Sequence, residues 1–343
     1  MPEHPLSQLA LVVIARNEAR CIARCLVSAR AWVDRMVVLD TGSTDDTAAI
    51  AQACGAEVHH LPWPDDFARA RNTALELADA DWHLILDADE WIASGAEGLR
   101  DSLCRPLLGV VCVRNDFDLN GSTAQSHAWI PRLLPRGVRY AGRIHEQPVS
   151  PLPRKRLPLV LGHDGYTRTR LASKQGRNRA LLEQALQEAP DDAYLHYQLG
   201  KDCEIYGEHD AACVHYRQAS TRLPAGAGYL HDLVVRTLHC LTQAGRLDDA
   251  LSSAEAWMPD WIDSPDFFFT LGNLLLDCAL RHPGQAQAHW LPLAEAAWQR
   301  CLEIGERPEL EGSVAGRGSH LAAHNLAVIR AGLISSAPEA ATL

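Results

Sequence analysis

The sequence has no apolar run long enough to cross a membrane. The longest early one, Leu9 to Ala15, falls far short of a span and fits a buried strand. The opening residues, MPEHP, carry no basic segment, and no small-residue cleavage site follows an apolar core, so nothing reads as a signal peptide. A basic surplus is missing too. Acidic residues number 43 against 32 basic ones, a formal net charge of −11, which argues against gripping nucleic-acid phosphates as the main task. The imbalance is uneven: residues 1–170 carry 21 acids and 19 bases, residues 171–343 carry 22 and 13. The ten cysteines are scattered with no Cys-x-x-Cys pair. Cys21 and Cys25, four apart on a predicted helix, are two thiols and not a zinc site. Such cysteines fit the reduced, buried thiols of a cytoplasmic protein, and a chain of 343 residues needs no disulfide framework.

A chain that is 47% hydrophobic and 22% charged folds, and its length suggests two domains. The first hundred residues alternate strand and helix. LALVVIA (9–15), MVVLD (36–40), AEVHHL (56–61) and WHLILD (82–87) read as strands. Helices are predicted over 18–31, from a cap at Ser43 or Thr44 to Cys54, and over 66–80. That alternation predicts an α/β domain with a mostly parallel sheet, whose ligands lie at the carboxyl ends of the strands, where Asp40 and Asp87 stand. Residues 104–170 predict a mixed extension with long loops, VSPLPRKRLPL (149–159) among them and a turn at NDFDLNG. From about Arg170 the pattern turns helical. Leu199-Gly200, Gly207, Ala212, Tyr216, Ala219 and Pro224 fit the tetratricopeptide repeat of about 34 residues. GRLDDAL (245–251), Leu271-Gly272 and AEAAWQRCLEIG (294–305) continue it in degenerate form, and HLAAHNLAVIRAG (320–332) fits a capping helix. The expected domains are 1–169, 170–335 and a disordered tail, 336–343.

Three Asp-x-Asp triplets occur, and only Asp87-Ala88-Asp89 directly follows an apolar strand of the parallel-sheet pattern. Two close carboxylates repel, and a hard divalent cation relieves that repulsion. Mn2+ or Mg2+ held there would bridge diphosphate oxygens and neutralise a leaving group. Asp79/Asp81 reads as a solvated helix end and Asp116/Asp118 as part of a turn.

Taken in order and spacing, LVVIARNEARCIARCLVSA, VVLDTGSTDDTAAIA, DDFARARNTALELA and WHLILDADEW resemble a family 2 glycosyltransferase of the GT-A fold over residues 9–91. The most similar subgroup includes lipopolysaccharide core glucosyltransferases and peptide S-glycosyltransferases of the SunS type, some with helical repeats after the catalytic domain. The resemblance implies that Asp40 contacts the nucleoside, that the backbone at Ala15 and Arg16 packs on its base, and that Arg71 lies near the base or diphosphate. Asp87 and Asp89 match the metal and sugar-diphosphate motif, Asp89 as direct ligand. His163 matches a late histidine that completes the metal site, and Arg132 and Arg143 are basic residues able to reach the diphosphate. Glu146, in a His-Glu element, is the candidate base of an inverting transfer, with Asp118 behind it. Asp40-Thr41-Gly42-Ser43 departs from the better-known Asp-Asp-Gly-Ser, removing one carboxylate from the nucleoside site.

The expectation is a cytoplasmic, metal-dependent inverting glycosyltransferase. Its donor is a UDP-sugar carrying glucose or N-acetylglucosamine, and its acceptor a peptide, protein or glycan. A concave helical array suits an extended peptide, and repeats in this position allow a homodimer. Two rivals stand: a repeat scaffold with an inactive transferase domain, against which intact Asp40, Arg71, Asp87 and Asp89 speak, and a sugar nucleotidyltransferase, which would carry a glycine-rich basic loop where ARNEAR stands.

Overall fold

The computed structural model describes residues 7–119, 122–166 and 176–335; the tail at 336–343 lies outside them. The chain divides into two compact units, Met1–Glu188 and Ala189–Leu343.

The first unit is built on an eight-stranded sheet in the order β3-β2-β1-β4-β7-β6-β10-β5. β1 (Leu9–Ala15) pairs in parallel with β2 (Arg35–Asp40) and β4 (Trp82–Asp87), and β2 with β3 (Glu57–His60). Helices α1 (Ile22–Ala29), α2 (Thr47–Ala53) and α3 (Phe67–Ala78) connect these strands. The unbroken apolar run of β1 follows from burial on both faces. Leu9, Leu11 and Val13 share a core with Ile22, Cys25 and Leu26 of α1, while Ala10 and Val12 share another with Ala74, Leu75 and Ala78 of α3.

Beyond β4 the directions mix. β7 (Ser122–Pro135) runs antiparallel to β4 and to β6 (Leu108–Leu119), β10 (Arg154–Tyr166) is parallel to β6, and β5 (Glu90–Ser94) runs antiparallel to β10. A small hairpin, β8 (Arg139–Ala141) and β9 (Gln147–Val149), stands apart, and α4 (Arg177–Glu188) ends the unit.

Three local expectations are corrected. Asp116 and Asp118 lie in β6, opposite Gln125 and Thr123, and not in a turn. The basic cluster Arg154–Arg156 opens β10 instead of filling a loop. Polar residues hide the strand in both stretches; the first pairs across a hairpin and the second with residues 108–110, far earlier in the chain. Ser43 and Thr44 do not cap α2: it starts at Thr47, and the preceding turn instead binds the loop after β1.

In the second unit, α5 (Ala193–Ile205) packs on α6 (His209–Thr221), α7 (Leu230–Gln243) on α8 (Leu247–Trp257), and α9 (Pro265–Arg281) on α10 (Leu291–Ile304), with α11 (His320–Ser335) against α10. Close approach at glycine sets two pairs. A Cβ on Gly200 would stand 2.4 Å from the Tyr216 ring, and one on Gly272 would stand 2.5 Å from Trp298. All ten cysteines are free thiols. Among the described residues, no helix is long and apolar enough to cross a membrane.

Candidate active site

The carboxyl edge of β1, β2 and β4 gathers the acids. Asp40 ends β2 opposite Ala15, and Asp87 ends β4 opposite Ile14, so the two stand two strands apart, about 10 Å. Asp40 is 3% exposed. Its Oδ1 accepts the N–H groups of Gly42 and Ser43, both at 2.9 Å, and His60 Nδ1 lies 3.8 Å away. Burial alone would raise its pKa; the hydrogen bonds from Ser43 and Gly42 outweigh that and hold it below the usual carboxylate range. Its Oδ2 is buried and has no donor among the described residues. An acceptor atom left so is costly unless a ligand fills it.

The loop after β1 is tied to the loop after β2. Asn17, at φ 56°, accepts the Thr44 N–H at 2.8 Å and donates its own backbone N–H to Ser43 Oγ at 2.9 Å, and Glu18 N–H donates to Thr47 Oγ1 at 2.7 Å. The Ala15 carbonyl is already used, accepting from Thr41 N–H at 2.9 Å and Thr41 Oγ1 at 3.1 Å. Arg16 is exposed.

At the end of β4 five side chains of alternating charge form one chain: Glu90, Arg132, Asp87, Arg71, Glu146. Arg132 Nη2, from β7, donates to Glu90 Oε1 at 2.5 Å and to Asp87 Oδ2 at 2.7 Å. Arg71, one turn into α3, donates through Nη2 to Asp87 Oδ1 at 2.6 Å and through Nε to Glu146 Oε1. Burial would raise the Asp87 pKa, yet the two guanidiniums carry it far below the carboxylate range. Burial would likewise strip the proton from Arg71, and Asp87 and Glu146 instead push its pKa well up. Buried Arg71 Nη1, Arg132 Nε and Tyr140 Oη have no partner among the described residues. Tyr140 lies under Arg71, 5.5 Å from guanidinium carbon to ring centroid, and burial pushes its phenol up to about 12.

Asn72 fastens this chain to the β8–β9 hairpin. Its amide donates to the Tyr140 carbonyl at 2.9 Å and accepts the Tyr140 N–H at 2.8 Å. Glu146 follows His145, a residue at φ 51°, and its side chain is 8% exposed.

Asp89 turns away from this chain toward β10. His163 Nε2 lies 3.4 Å from Asp89 Oδ2, and His163 Nδ1 lies 2.8 Å from Asn115 Oδ1. With Nδ1–H donated to Asn115, Nε2 and the carboxylate oxygen present facing lone pairs, which only a proton or a cation reconciles. Burial lowers the His163 pKa, but the hydrogen bond and charge of Asp89 outweigh that and raise it. Among the described residues no group of three His, Cys, Asp or Glu side chains is placed to hold a metal. Both oxygens of Asp87 are engaged by arginines, so among the described residues Asp89 and His163 are the side chains here that could hold a cation. One carboxylate and one imidazole, with the rest of the shell left to phosphate and water, suit Mg2+ or Mn2+.

Asp40, Arg71, Arg132, Asp87, Asp89, Glu146 and His163 thus come to one sheet edge. Arg143 does not join them; it pairs with Glu188 at 3.2 Å and with the Asp65 carbonyl. The Asp118 side chain lies outside the described residues. Sequence reasoning passed over Glu90, Asn72, Tyr140 and Asn115. Glu90 and Asn72 directly follow residues it did select, which was the available signal.

A mixed sheet of this order, with acids on its parallel carboxyl edge, is a GT-A-like fold, and helices follow it along the chain. Residues 10–154 form a glycosyl transferase family 2 domain, as the match to that family's model shows. A TPR repeat-containing protein of Synechococcus elongatus is 32% identical over 275 residues, 76% of this chain and 68% of the relative. The glycosyltransferase SunS of Bacillus subtilis is 27% identical over 212 residues, 58% of this chain and only 50% of SunS. The crystal structure of glucosyl-3-phosphoglycerate synthase from Mycobacterium tuberculosis, in complex with Mn2+, UDP and glucosyl-3-phosphoglycerate, is similar at 25% identity over 32% of this chain and 44% of that one, with a TM-score of 0.28.

Proposed function

We propose that the chain is an inverting glycosyltransferase that moves a hexose, glucose or N-acetylglucosamine, from a UDP-sugar to a peptide, protein or glycan acceptor, with Mn2+ or Mg2+. The observation that carries this reading is the facing pair Asp89 and His163, 3.4 Å apart, beside the Asp87 chain on the ligand edge of a family 2 domain. Asp89 and His163 would hold the cation, which would supply positive charge to the diphosphate leaving group. The unfilled Oδ2 of Asp40 suits the N–H of a uracil base. Arg71 and Arg132 hold Asp87 in one orientation by two charged hydrogen bonds, which orients whatever sugar or ribose hydroxyl it accepts from. The partnerless N–H groups of Arg71 and Arg132 add positive potential where the diphosphate would lie.

Inversion needs one base beside the anomeric carbon. Glu146 is our candidate: Arg71 fixes Oε1, and no donor among the described residues engages the other oxygen, which can take the acceptor's proton. The acceptor assignment rests on the repeats, whose paired helices build a surface for an extended segment, and on the similarity to SunS. A cytoplasmic setting agrees with ten free thiols.

A thermal-shift screen of UDP-glucose and UDP-N-acetylglucosamine with and without Mn2+ tests the reading. We expect a shift of several degrees for one of them only when Mn2+ is present, and its loss in Asp89→Ala. Equal stabilisation of the variant would refute the role given to Asp89.

A further inference from the structure

We infer that Glu90 is a positioning residue for the donor end of the site, acting on Asp87 through Arg132. The inference rests on the glycosyltransferase reading above. Glu90 opens β5 immediately after the Asp87-Ala88-Asp89 turn, and its side chain is 3% exposed. Its Oε2 accepts the Asp87 backbone N–H at 2.9 Å. Its Oε1 accepts from Arg132 Nη2 at 2.5 Å, and that nitrogen also donates to Asp87 Oδ2 at 2.7 Å. One carboxylate therefore grips both the backbone of the turn and the guanidinium that clamps its first side chain. The pairing of β5 with β10 sets Glu90 opposite His163, so the strand that starts at Glu90 also fixes the register in which His163 meets Asp89.

Charge balance does not call for a third carboxylate here; geometry does. Arg71 and Arg132 bring two positive charges, while Asp87 and Glu146 bring two negative ones. Without Glu90, Arg132 would have a single anionic partner and freedom to swing about it. A guanidinium fork held at one tine by Glu90 presents its nitrogen to Asp87 in one direction. Replacing a buried ion pair by apolar packing is often neutral for stability, so a carboxylate here supplies geometry rather than stability. Glu90 itself has no path to a donor: both oxygens are occupied by the protein.

Glu90→Gln tests this. The glutamine oxygen can still accept the Asp87 N–H, but the charge facing Arg132 is gone. Hydrolysis of UDP-glucose with Mn2+ is followed in wild type, Glu90→Gln, Arg132→Gln and the double variant. We expect the donor KM of Glu90→Gln to rise about tenfold or more, the scale for groups that orient a metal or substrate ligand, with a smaller change in kcat. The double variant should be no worse than Arg132→Gln, because Glu90 acts through Arg132. An unchanged donor KM, or independent losses that multiply in the double variant, overturns the inference and leaves the glycosyltransferase reading standing. A wild-type protein that neither binds nor hydrolyses any UDP-sugar refutes that reading and the inference with it. Should Glu90→Gln fail to fold, Glu90→Met replaces it: a folded protein with raised KM supports the inference, and one with wild-type KM overturns it.

Discussion

Arg71 illustrates how much of the site depends on the shape of one side chain. It reaches Asp87 through Nη2 and Glu146 through Nε, and its carbon lies over Tyr140. A lysine has the charge but one nitrogen, and cannot hold two carboxylates in a fixed fork. Arg71→Lys is therefore expected to fold and to lose about 100-fold in turnover, measured as sugar transfer or donor hydrolysis alongside circular dichroism. Turnover within a factor of two of wild type would show that the fork is dispensable. At this scale the sequence was partly legible. Asp40, Asp87 and Asp89 could be read because each closes, or follows, an apolar strand. The pairing of Arg71 with Glu146, 75 positions later, could not be, since nothing local encodes which distant carboxylate a guanidinium meets.

Among the elements, β1 and β4 were readable because burial on both faces demands an unbroken apolar run, and α3 because Asp66 caps it by accepting the Arg69 N–H at 2.9 Å. β6, β7 and β10 were readable only over their apolar runs, GVVCVRND, AWIPRLL and LPLVLGH. Their polar ends read as turns and loops, and the pairing of β6 with β7 and with β10 extends the strands into them. In the second unit the repeat pattern carried physical content. The small residue at Gly272 admits the Trp298 ring, whose Nε1 would lie 2.5 Å from a Cβ there. Gly272→Ala must push Trp298 off its seat or part α9 from α10, at a cost of about 1–3 kcal/mol. Urea denaturation should give a lower midpoint; an unchanged midpoint would mean that the two helices are less tightly seated than described.

For the whole molecule, the two units carry separate cores, and acid should unsettle each through named buried groups. In the first unit His83, 3% exposed, has its pKa pushed down to about 4 by burial and by the charges of Arg136 and Arg139. Unfolded, it titrates near its ordinary value of about 6.5. The unfolded chain thus takes up a proton first, and the contribution of neutral His83 is complete above about 6.5 and is lost as pH falls toward about 4. In the second unit, burial would raise the Asp232 pKa, but Arg236, Lys201 and the Tyr197 hydroxyl hold it at about 2. Its contribution is complete above the ordinary aspartate value of about 3.9 and is lost as pH falls from there toward about 2. Burial likewise holds His239 of the second unit below its ordinary value, so melting followed by a probe in each unit should weaken as pH falls below about 6.5, and further in the second as Asp232 takes up its proton. His83→Gln should flatten the upper window, and an identical pH profile for that variant would contradict the assignment.

The central claim is that Asp89 and His163 share a cation that the donor needs. Calorimetric titration of UDP into the full chain, in Mn2+ and again in EDTA, asks this most directly. We expect binding that weakens by an order of magnitude or more in EDTA for wild type, and no difference between the two conditions for His163→Ala. Metal-independent UDP binding by the wild-type chain, or undiminished metal dependence in His163→Ala, would contradict it.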